Sequence, residues 1–309
     1  MELLYQRDVY GQTLVELGKE NKNIVVLDCD LSSSTRTALF ARAFPERFFN
    51  FGVAEQNMMA TAGGLASCGK IVFASTFAIF ASGRAWDQVR NTISYNNFNV
   101  RIVASHAGIT VGEDGASHQA IADMAIMRAI PNMTVVVPCD GPETRDVIRA
   151  AVEYSGPMYI RLGRPKFQTI ENKGTFKIGL SYCLKEGDDI TLVACGIMVK
   201  EALDAAEELK KENINASVLN VHTIKPLDEE TILKFARKTN RFIVCEEHLV
   251  SGGLASAIAE FLSETYPIKI ARIGIRNHFG QSGSPQDLLR VYNLTSSDIL
   301  KEAKKLIGR

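Results

Sequence analysis

Short apolar runs alternate with amphipathic stretches along most of this chain. From Asn23 onward, runs of strand length are separated by polar or glycine-containing turns and by longer stretches whose apolar residues recur at helical spacing. This alternation is typical of parallel sheets that are covered on both faces by helices. In the first half, the pattern predicts strands at 24–27, 71–73, 100–105, 134–137 and 158–162 and helices at 58–67, 83–94 and 142–154.

The second half repeats this organisation on a smaller scale. A polar stretch at 163–174 and a charged, hairpin-like region ending at Asp189 interrupt the alternation, which places a linker there. We therefore predict an α/β fold with two domains, residues 1–172 and 173–309, each a mostly parallel sheet flanked by helices. The predicted strands of the second domain lie at 190–194, 216–221, 242–245 and 268–273, and its helices at 199–211, 228–236 and 252–262.

Composition narrows the classes of protein to which the chain belongs. The 309 residues include 35 Lys+Arg and 35 Asp+Glu, so the formal net charge is zero and we expect neither nucleic acid nor an acidic membrane as partner. The longest apolar runs fall short of the roughly 20 residues of a membrane span, and the N-terminus lacks the apolar core of a secretory signal. We expect a cytoplasmic protein whose six separated cysteines are buried thiols.

Common cofactor and metal motifs are missing from the sequence. There is no G-x-x-x-x-G-K-[ST] phosphate loop, no G-x-G-x-x-G after the first predicted strand and no H-E-x-x-H. The five histidines never stand four residues apart, so we predict no helical metal site. ATPase, simple dehydrogenase and zinc-protease functions therefore have no support in the sequence.

One loop concentrates chemically active side chains. It reads S-H-A-G-I-T-V-G-E-D-G-A-S-H-Q over residues 105–119, directly after an apolar run, and it contains His106, Glu113, Asp114 and His118. Loops at the carboxyl ends of parallel strands are where α/β proteins bind ligands. The alternative is a long surface turn with incidental polar residues, and the density of histidine and carboxylate favours a site.

Two further segments combine acidic or aromatic residues with apolar ones. Glu55 follows F-G-V-A and precedes a helix rich in small residues, where apolar neighbours would desolvate the carboxylate and suit it to exchange a proton with a ring nitrogen. Capping of its own helix explains the same pattern equally well. Phe77 and Phe80, in S-T-F-A-I-F, share a face if this segment begins a helix, and there they would either pack in a core or hold a flat heterocycle.

Taken in order, four motifs resemble the C-terminal half of transketolase. They are F-G-V-A-E-Q-N, S-T-F-A-I-F, H-A-G-I-T-V-G-E-D-G-A-S-H-Q and P-N-M-T-V-V-V-P-C-D, and the resemblance covers nearly the whole chain. It implies a pyrimidine-binding domain followed by a transketolase C-terminal domain, and thiamine diphosphate as cofactor. In that family a G-D-G motif and a divalent cation hold the diphosphate, and this chain contains no G-D-G.

The missing motif implies that another chain completes the site. A diphosphate needs a cation or clustered N–H donors to balance its charge, and no motif here supplies them. The resemblance is therefore to the C-terminal subunit of a split transketolase, with Mg²⁺ or another divalent cation held by a separate N-terminal subunit. By analogy with the family, the assembly self-associates to contain two copies of each subunit. The implied substrates are sugar phosphates, between which a two-carbon ketol unit moves.

The resemblance also implies roles for residues near the cofactor. Glu55 would hydrogen-bond a ring nitrogen of the aminopyrimidine, and Phe77 and Phe80 would stack on that ring. A third aromatic residue that is common in the family is replaced here by Gly83. Asp30 would lie near the cofactor.

Another group of residues is implied to face the sugar. His106 and His118 would move protons at hydroxyl and carbonyl oxygens, and Asp114 would hydrogen-bond a hydroxyl. The family positions that grip the sugar phosphate correspond to Arg7, Ser34 and Arg164. Guanidinium suits this role because it binds phosphate bidentately and stays charged. The alternative for the arginines is an exposed salt bridge.

Three other functions stay open. A half of 1-deoxyxylulose-5-phosphate synthase would share A-E-Q and D-G-x-x-H, although His106 and V-G-E-D-G favour transketolase. A 2-oxoacid dehydrogenase β subunit has the same domain order, but a different helix is expected after its glutamate. A non-catalytic subunit that regulates or scaffolds a partner belongs to another class, and retention of Glu55 and both loop histidines argues against it.

Overall fold

The computed structural model describes residues 2–171 and 174–308, in which helices flank two main sheets. The predicted domain boundary between residues 172 and 173 lies outside these ranges. The strands are β1 (Leu3–Tyr5), β2 (Ile24–Asp28), β3 (Phe48–Asn50), β4 (Ile71–Phe77), β5 (Val100–Ala107), β6 (Thr134–Val136), β7 (Met158–Gly163), β8 (Lys166–Gln168), β9 (Tyr182–Lys185), β10 (Ile190–Ala194), β11 (Ala216–Asn220), β12 (Thr223–Lys225), β13 (Arg241–Leu249) and β14 (Lys269–Ile275). The α-helices are α1 (Gln6–Glu20), α2 (Ser32–Thr35), α3 (Ala38–Ala43), α4 (Glu55–Ser67), α5 (Trp86–Gln88), α6 (Asp123–Arg128), α7 (Gly141–Glu153), α8 (Met198–Lys211), α9 (Glu229–Thr239), α10 (Leu254–Thr265), α11 (Pro285–Val291) and α12 (Ser296–Ile307).

Seven strands form the larger sheet, in the order β12-β6-β7-β5-β4-β2-β3. They pair in parallel except at one edge, where β12 runs antiparallel to β6. The middle strands β7, β5, β4 and β2 are buried along nearly all their length, as continuous apolar runs between two layers of helices require. Their carboxyl ends therefore meet at one edge of the sheet.

The smaller sheet has five strands, in the order β14-β13-β10-β11-β9, with β9 antiparallel to the rest. Neighbouring residues of β10 face opposite layers: Leu192 belongs to a cluster with residues of α8 and α12, and Val193 to one with residues of α9 and α10. The second cluster also contains Ile102 and Ala104 of β5, so the two sheets share part of one core. The predicted α/β class with two domains is confirmed.

Capping side chains fix where several helices begin. Asp140 and Asp228 each accept a hydrogen bond from the backbone N–H three residues further on, at the starts of α7 and α9. At α12, Thr295 and Asp298 form a reciprocal capping box. These local signals explain why the starts predicted at 142 and 228 lie within one residue of the observed ones.

The connection between the halves differs from the predicted linker at 163–174. Lys166–Gln168 is the strand β8, which pairs antiparallel with β1. The predicted hairpin-like region contains β9, which pairs with the later strand β11. In addition, β12 lies in the second half of the chain but joins the larger sheet. A local pattern does not reveal such pairings because the partners are distant in sequence.

The segment after β4 also differs from the prediction. Phe77 is the last residue of β4, so S-T-F-A-I-F does not begin a helix as a whole. The predicted helix at 83–94 is instead a π-helical turn at Phe80–Arg84, the short α5 and a second π-helical turn at Val89–Ser94. A π-helical turn accommodates an extra residue, and such turns are frequent at functional sites.

The surface bears on two sequence predictions. Of the six cysteines, Cys68 and Cys183 are exposed, which corrects the prediction that all are buried thiols. Cys68 immediately follows α4, and Cys183 lies on the edge strand β9. Within residues 2–171 and 174–308, no helix combines the length and apolar character needed to cross a membrane.

Candidate active site

The candidate site lies at the carboxyl ends of the central strands of the larger sheet. Phe77 ends β4, His106 is the last residue but one of β5, and Arg164 directly follows β7. Glu55 is the first residue of α4. Because neighbouring parallel strands end at the same edge, residues that are distant in sequence come together where α/β folds bind ligands.

Four aromatic rings lie against one another at this edge. Phe77 and Phe80 stack with centroids 6.0 Å apart and planes inclined by 13°. His106 stacks on Phe77 at 3.9 Å, and His118 makes edge contacts with both phenyl rings at 6.3 and 5.5 Å. The result is an aromatic wall, defined here as Phe77, Phe80 and His106, which is buried at Phe77 and partly exposed at Phe80.

Glu55 is almost completely removed from water, and among the described residues one side chain holds its carboxylate. It is 1% exposed, and both carboxylate oxygens accept hydrogen bonds from Arg84 Nη1 at 2.9 Å. Arg84 Cζ lies 4.3 Å from the centroid of the Phe80 ring, so the guanidinium contacts both the carboxylate and the aromatic wall. In the described chain, Glu55 accepts no hydrogen bond from the backbone of α4, so the helix-capping alternative gains no support.

His106 has a backbone in the left-handed region and a buried imidazole ring. Its φ of +58° lies in the left-handed region that residues other than glycine seldom adopt, and such strain clusters at functional sites. Ser105 Oγ lies 2.9 Å from Nδ1, and Arg7 Nη1 lies 3.5 Å from Nε2. Burial, together with the charges of Arg7 and Arg164 and the nearby His118, lowers the pKa of His106 to about 3. The imidazole is therefore neutral at physiological pH, a weak base that can accept a hydrogen bond.

The lowered pKa of His106 predicts that this residue makes the stability of the folded chain depend on pH. Between pH 6.5 and 3 the folded chain binds fewer protons at His106 than the unfolded chain does. The contribution of neutral His106 to the free energy of unfolding is therefore fully present above pH 6.5 and is lost as the pH falls toward 3. One such group changes the free energy of unfolding by at most about 1.4 kcal/mol per pH unit. Urea unfolding between pH 7 and 5 should show this loss, and His106→Asn should remove it because asparagine tolerates the left-handed backbone.

The control for this measurement is His278→Asn. His278 is exposed to solvent, so its replacement should leave the pH dependence of wild-type stability unchanged. Equal losses of stability with falling pH in the wild type and in His106→Asn would contradict the assignment to His106.

Arg7 and Arg164 line one cavity of about 470 Å³. Arg164 donates a hydrogen bond to the backbone carbonyl of Val111 and, at 2.8 Å, to the carboxylate of Glu113. The exposed salt bridge considered as an alternative role for the arginines is therefore present at Arg164. Burial, followed by the charge of Arg36, lowers the pKa of Arg7. The two guanidinium groups give the cavity a positive wall.

The remaining predicted residues lie around these groups. Ser34 offers its backbone carbonyl to Arg7 Nη1 at 3.5 Å. Asp30 is exposed and accepts a hydrogen bond from Asn50 at 3.4 Å. Asp114 is exposed in the loop between the two histidines. The structure thus places Ser34 next to Arg7 and leaves both aspartates open to solvent.

The loop that carries both histidines is held by the second half of the chain. The Thr110 N–H donates to the buried Glu247 carboxylate at 2.7 Å, and Ser282 Oγ donates to the backbone carbonyl of Glu113 at 2.7 Å. The first of these hydrogen bonds is buried, and its loss would leave a buried N–H donor without a partner. The conformation of the loop therefore depends on residues that follow it by more than 130 positions.

Sequence analysis missed three residues that shape the site. Arg84 could have been noticed as a cation seven residues after Phe77, but its contact with Glu55 had no local signal. Lys166, which adds a third cation to the cavity, and Glu247 had none either. Their positions depend on how distant elements pack.

Comparison with known families accounts for both halves of the chain. Residues 4–169 match the family described as transketolase, pyrimidine binding domain, and residues 180–299 match transketolase, C-terminal domain. The chain belongs to the transketolase family. The resemblance drawn from the four motifs is therefore confirmed.

Relatives of this transketolase-family chain include proteins of similar length. A putative transketolase C-terminal section of Methanocaldococcus jannaschii is 53% identical over 96% of this chain and 94% of its own length. A 6-deoxy-6-sulfo-D-fructose transketolase subunit of Clostridium sp. is 41% identical over 100% of this chain and 96% of its own. A solved split gene transketolase, described as an inactive beta4 tetramer, matches 99% of both chains with a TM-score of 0.92 and 50% identity. The likeness thus extends to sections and subunits of transketolases along nearly their whole length.

Proposed function

We propose that this chain is one subunit of a thiamine-diphosphate-dependent transketolase that moves a two-carbon ketol unit from a ketose phosphate to an aldose phosphate. The observation that carries the proposal is the buried carboxylate of Glu55, which lies close to the aromatic wall and His118. A carboxylate that can exchange a proton, a flat apolar surface and imidazoles are the groups that proton transfer around a heterocyclic cofactor requires.

The residues present fit the aminopyrimidine of the cofactor. Between Glu55 and Phe80 lies the guanidinium of Arg84, a planar group that donates hydrogen bonds to the carboxylate and lies over the ring. A protonated ring nitrogen in the same space would make the same kinds of contact. When bound, thiamine diphosphate supplies the carbon nucleophile of the reaction. Glu55 would hold a proton at the ring nitrogen, and Phe77 and Phe80 would exclude water.

The two histidines would serve the sugar. His106 is neutral, so it can accept a hydrogen bond from a hydroxyl group, and a bound phosphate that balances the charges of Arg7 and Arg164 would make it a stronger base for proton transfer. His118 is partly exposed, with Nδ1 3.0 Å from Ser117 Oγ, and would donate or accept at a carbonyl oxygen. Asp114, in the same loop, would hydrogen-bond a hydroxyl. Asp30 would lie on the cofactor side.

The cavity beside His106 would take the phosphate end of the substrate. Arg7, Arg164 and Lys166 line it, and guanidinium groups bind phosphate bidentately. Ser34 lies against Arg7 and would orient it or contact the phosphate. A phosphate would compete with Glu113 for Arg164, which exchanges an exposed ion pair for a charge-assisted contact with substrate.

We infer that a separate N-terminal subunit holds the diphosphate and its divalent cation. In the described ranges, no three or more His, Cys, Asp and Glu side chains are grouped to bind a metal, and the sequence has no G-D-G motif. The split gene transketolase that resembles this chain is described as inactive as a beta4 tetramer. An assembly with two copies of each subunit, in the cytoplasm, is the arrangement we propose.

Reconstitution tests this proposal. The purified chain alone should not turn over xylulose 5-phosphate with ribose 5-phosphate, and addition of the N-terminal subunit, thiamine diphosphate and Mg²⁺ should restore turnover. Omission of any one component should abolish it. Full activity of the chain alone would contradict the shared site. Assembly without turnover would favour a scaffolding subunit.

A further inference from the structure

Arg84 makes two contacts that the proposed function assigns to the cofactor ring. Its Nη1 donates to both oxygens of Glu55 at 2.9 Å, and its Cζ lies 4.3 Å from the centroid of Phe80. The guanidinium is planar, polar at its edge and able to lie flat on a phenyl ring. In the chain by itself, Arg84 therefore occupies the space between the carboxylate and the aromatic wall.

The anchoring of Arg84 is one-sided. Its side chain is 45% exposed, whereas that of its partner Glu55 is 1% exposed. Gln56 Nε2 donates to the backbone carbonyl of Arg84 at 3.2 Å, so the backbone is tied while the side chain depends on the carboxylate and the phenyl ring. Because nearly half of the Arg84 side chain is exposed, the guanidinium borders solvent and can move into it.

The local backbone gives the arginine its position. Phe80–Arg84 is a π-helical turn, in which an extra residue shifts the side chains that follow relative to an α-helix. Arg84 follows Phe80 by four residues, so the two side chains lie on the same face of the turn and Arg84 lies over the ring. The feature is thus built into the chain and does not depend on a partner.

We propose that Arg84 is a displaceable placeholder for the aminopyrimidine. Before assembly its guanidinium pairs with the buried Glu55 carboxylate, which accepts no other hydrogen bond within residues 2–171 and 174–308, and covers Phe80. On binding of the cofactor the guanidinium leaves, and the ring takes over both contacts. This inference rests on the proposed function, and it adds a competition within the chain that cofactor binding has to overcome.

A placeholder and a permanent ion pair predict opposite effects of Arg84→Ala on the affinity for the cofactor. Loss of a placeholder destabilises the chain alone, because a buried carboxylate loses its partner, but it removes a competitor from the cofactor site. The melting temperature of the chain alone should fall by roughly 2–6 °C. The dissociation constant of thiamine diphosphate, measured by titration calorimetry on the complex with the N-terminal subunit and Mg²⁺, should stay equal or tighten by up to about tenfold.

A spectroscopic signal reports the displacement independently of turnover. Trp86 is the one tryptophan of the chain and stands two residues after Arg84. Labelled as 5-fluorotryptophan in this chain only, it should show a new ¹⁹F resonance when thiamine diphosphate is added to the assembled complex. In Arg84→Ala the same addition should change the spectrum much less.

Matched variants keep the result interpretable. Arg290→Ala breaks an exposed arginine–aspartate pair and should change neither the cofactor affinity nor the ¹⁹F spectrum. Arg84→Lys keeps the charge but not the planar group, so its effects on melting temperature and cofactor affinity should be smaller and of the same sign. It replaces Arg84→Ala in these measurements if the alanine variant fails to fold.

The outcomes separate the two proposals. Cofactor binding that is weaker by tenfold or more in both Arg84 variants, or a ¹⁹F spectrum that cofactor leaves unchanged in the wild type, would overturn the placeholder. A wild-type complex that binds no thiamine diphosphate at all would overturn the proposed function itself.

Discussion

Replacement of Glu55 by glutamine is expected to lower turnover of the reconstituted enzyme by roughly 10²–10⁴-fold, the range for loss of a positioned proton-transfer group. Glutamine preserves the shape of the side chain, and its amide oxygen can still accept a hydrogen bond from Arg84. It cannot exchange a proton with a ring nitrogen. The variant therefore removes the chemistry that we propose for Glu55 while it retains the packing around this 1% exposed position.

The measurement combines turnover of xylulose 5-phosphate with ribose 5-phosphate and deuterium exchange at C2 of bound thiamine diphosphate, followed by NMR. Both rates should fall while assembly with the N-terminal subunit, judged by size-exclusion chromatography, is unchanged. Glu260→Gln is the control, because it alters an exposed glutamate paired with Arg128 and should leave both rates near the wild-type value. Exchange at the wild-type rate in Glu55→Gln would return this residue to a purely structural role.

The sequence predicted those parts of the fold that depend on local pattern. The limits of β10 agree residue for residue with the predicted 190–194, because a fully buried strand is a continuous apolar run between turns. The limits of α7 differ from the prediction by one residue at each end, because Asp140 and a proline mark its start. By contrast, β12 crosses to the other sheet, and a three-residue strand carries no pattern that names its partner.

The candidate site divides in the same way. His106 and His118 could be predicted as a pair because one loop after one strand carries both, and in the structure both rings contact Phe77, His106 stacked on it and His118 edge-on. The Phe77–Phe80 stack was predicted for the wrong local structure, since the rings meet across the end of a strand and a π-helical turn. The partner of Glu55 lies 29 positions away, which only the packed structure reveals.

Replacement of Gly108 by alanine is expected to destabilise the chain by roughly 2–4 kcal/mol, because two penalties coincide at this position. Its φ of +78° disfavours any side chain, and an added Cβ would lie 2.2 Å from Cδ and Oε1 of Glu247. The carboxylate cannot simply move aside, because it is buried and accepts the Thr110 N–H at 2.7 Å. Movement would leave a buried donor without its partner.

Gly108→Ala should also lower turnover, because Gly108 lies in the loop between His106 and His118. A displacement of about 1 Å at a catalytic group can lower turnover by about 10²-fold, so the reconstituted complex should lose activity as well as stability. Gly64→Ala is the control: its Cβ would meet nothing within 4 Å on an exposed turn of α4, so stability should stay equal or rise by up to about 1 kcal/mol.

A double-mutant cycle with Glu247→Ala isolates the cause, with free energies of unfolding taken from urea titrations. If the clash dominates, Gly108→Ala costs less once the Glu247 carboxylate is gone, and the double variant falls short of additivity by about 1 kcal/mol or more. Additive effects would mean that the left-handed backbone alone accounts for the loss. A non-additive result would show that the second half of the chain sets the conformation of the loop carrying both histidines, and this supplies a physical role for a domain that contributes none of the proposed proton-transfer groups.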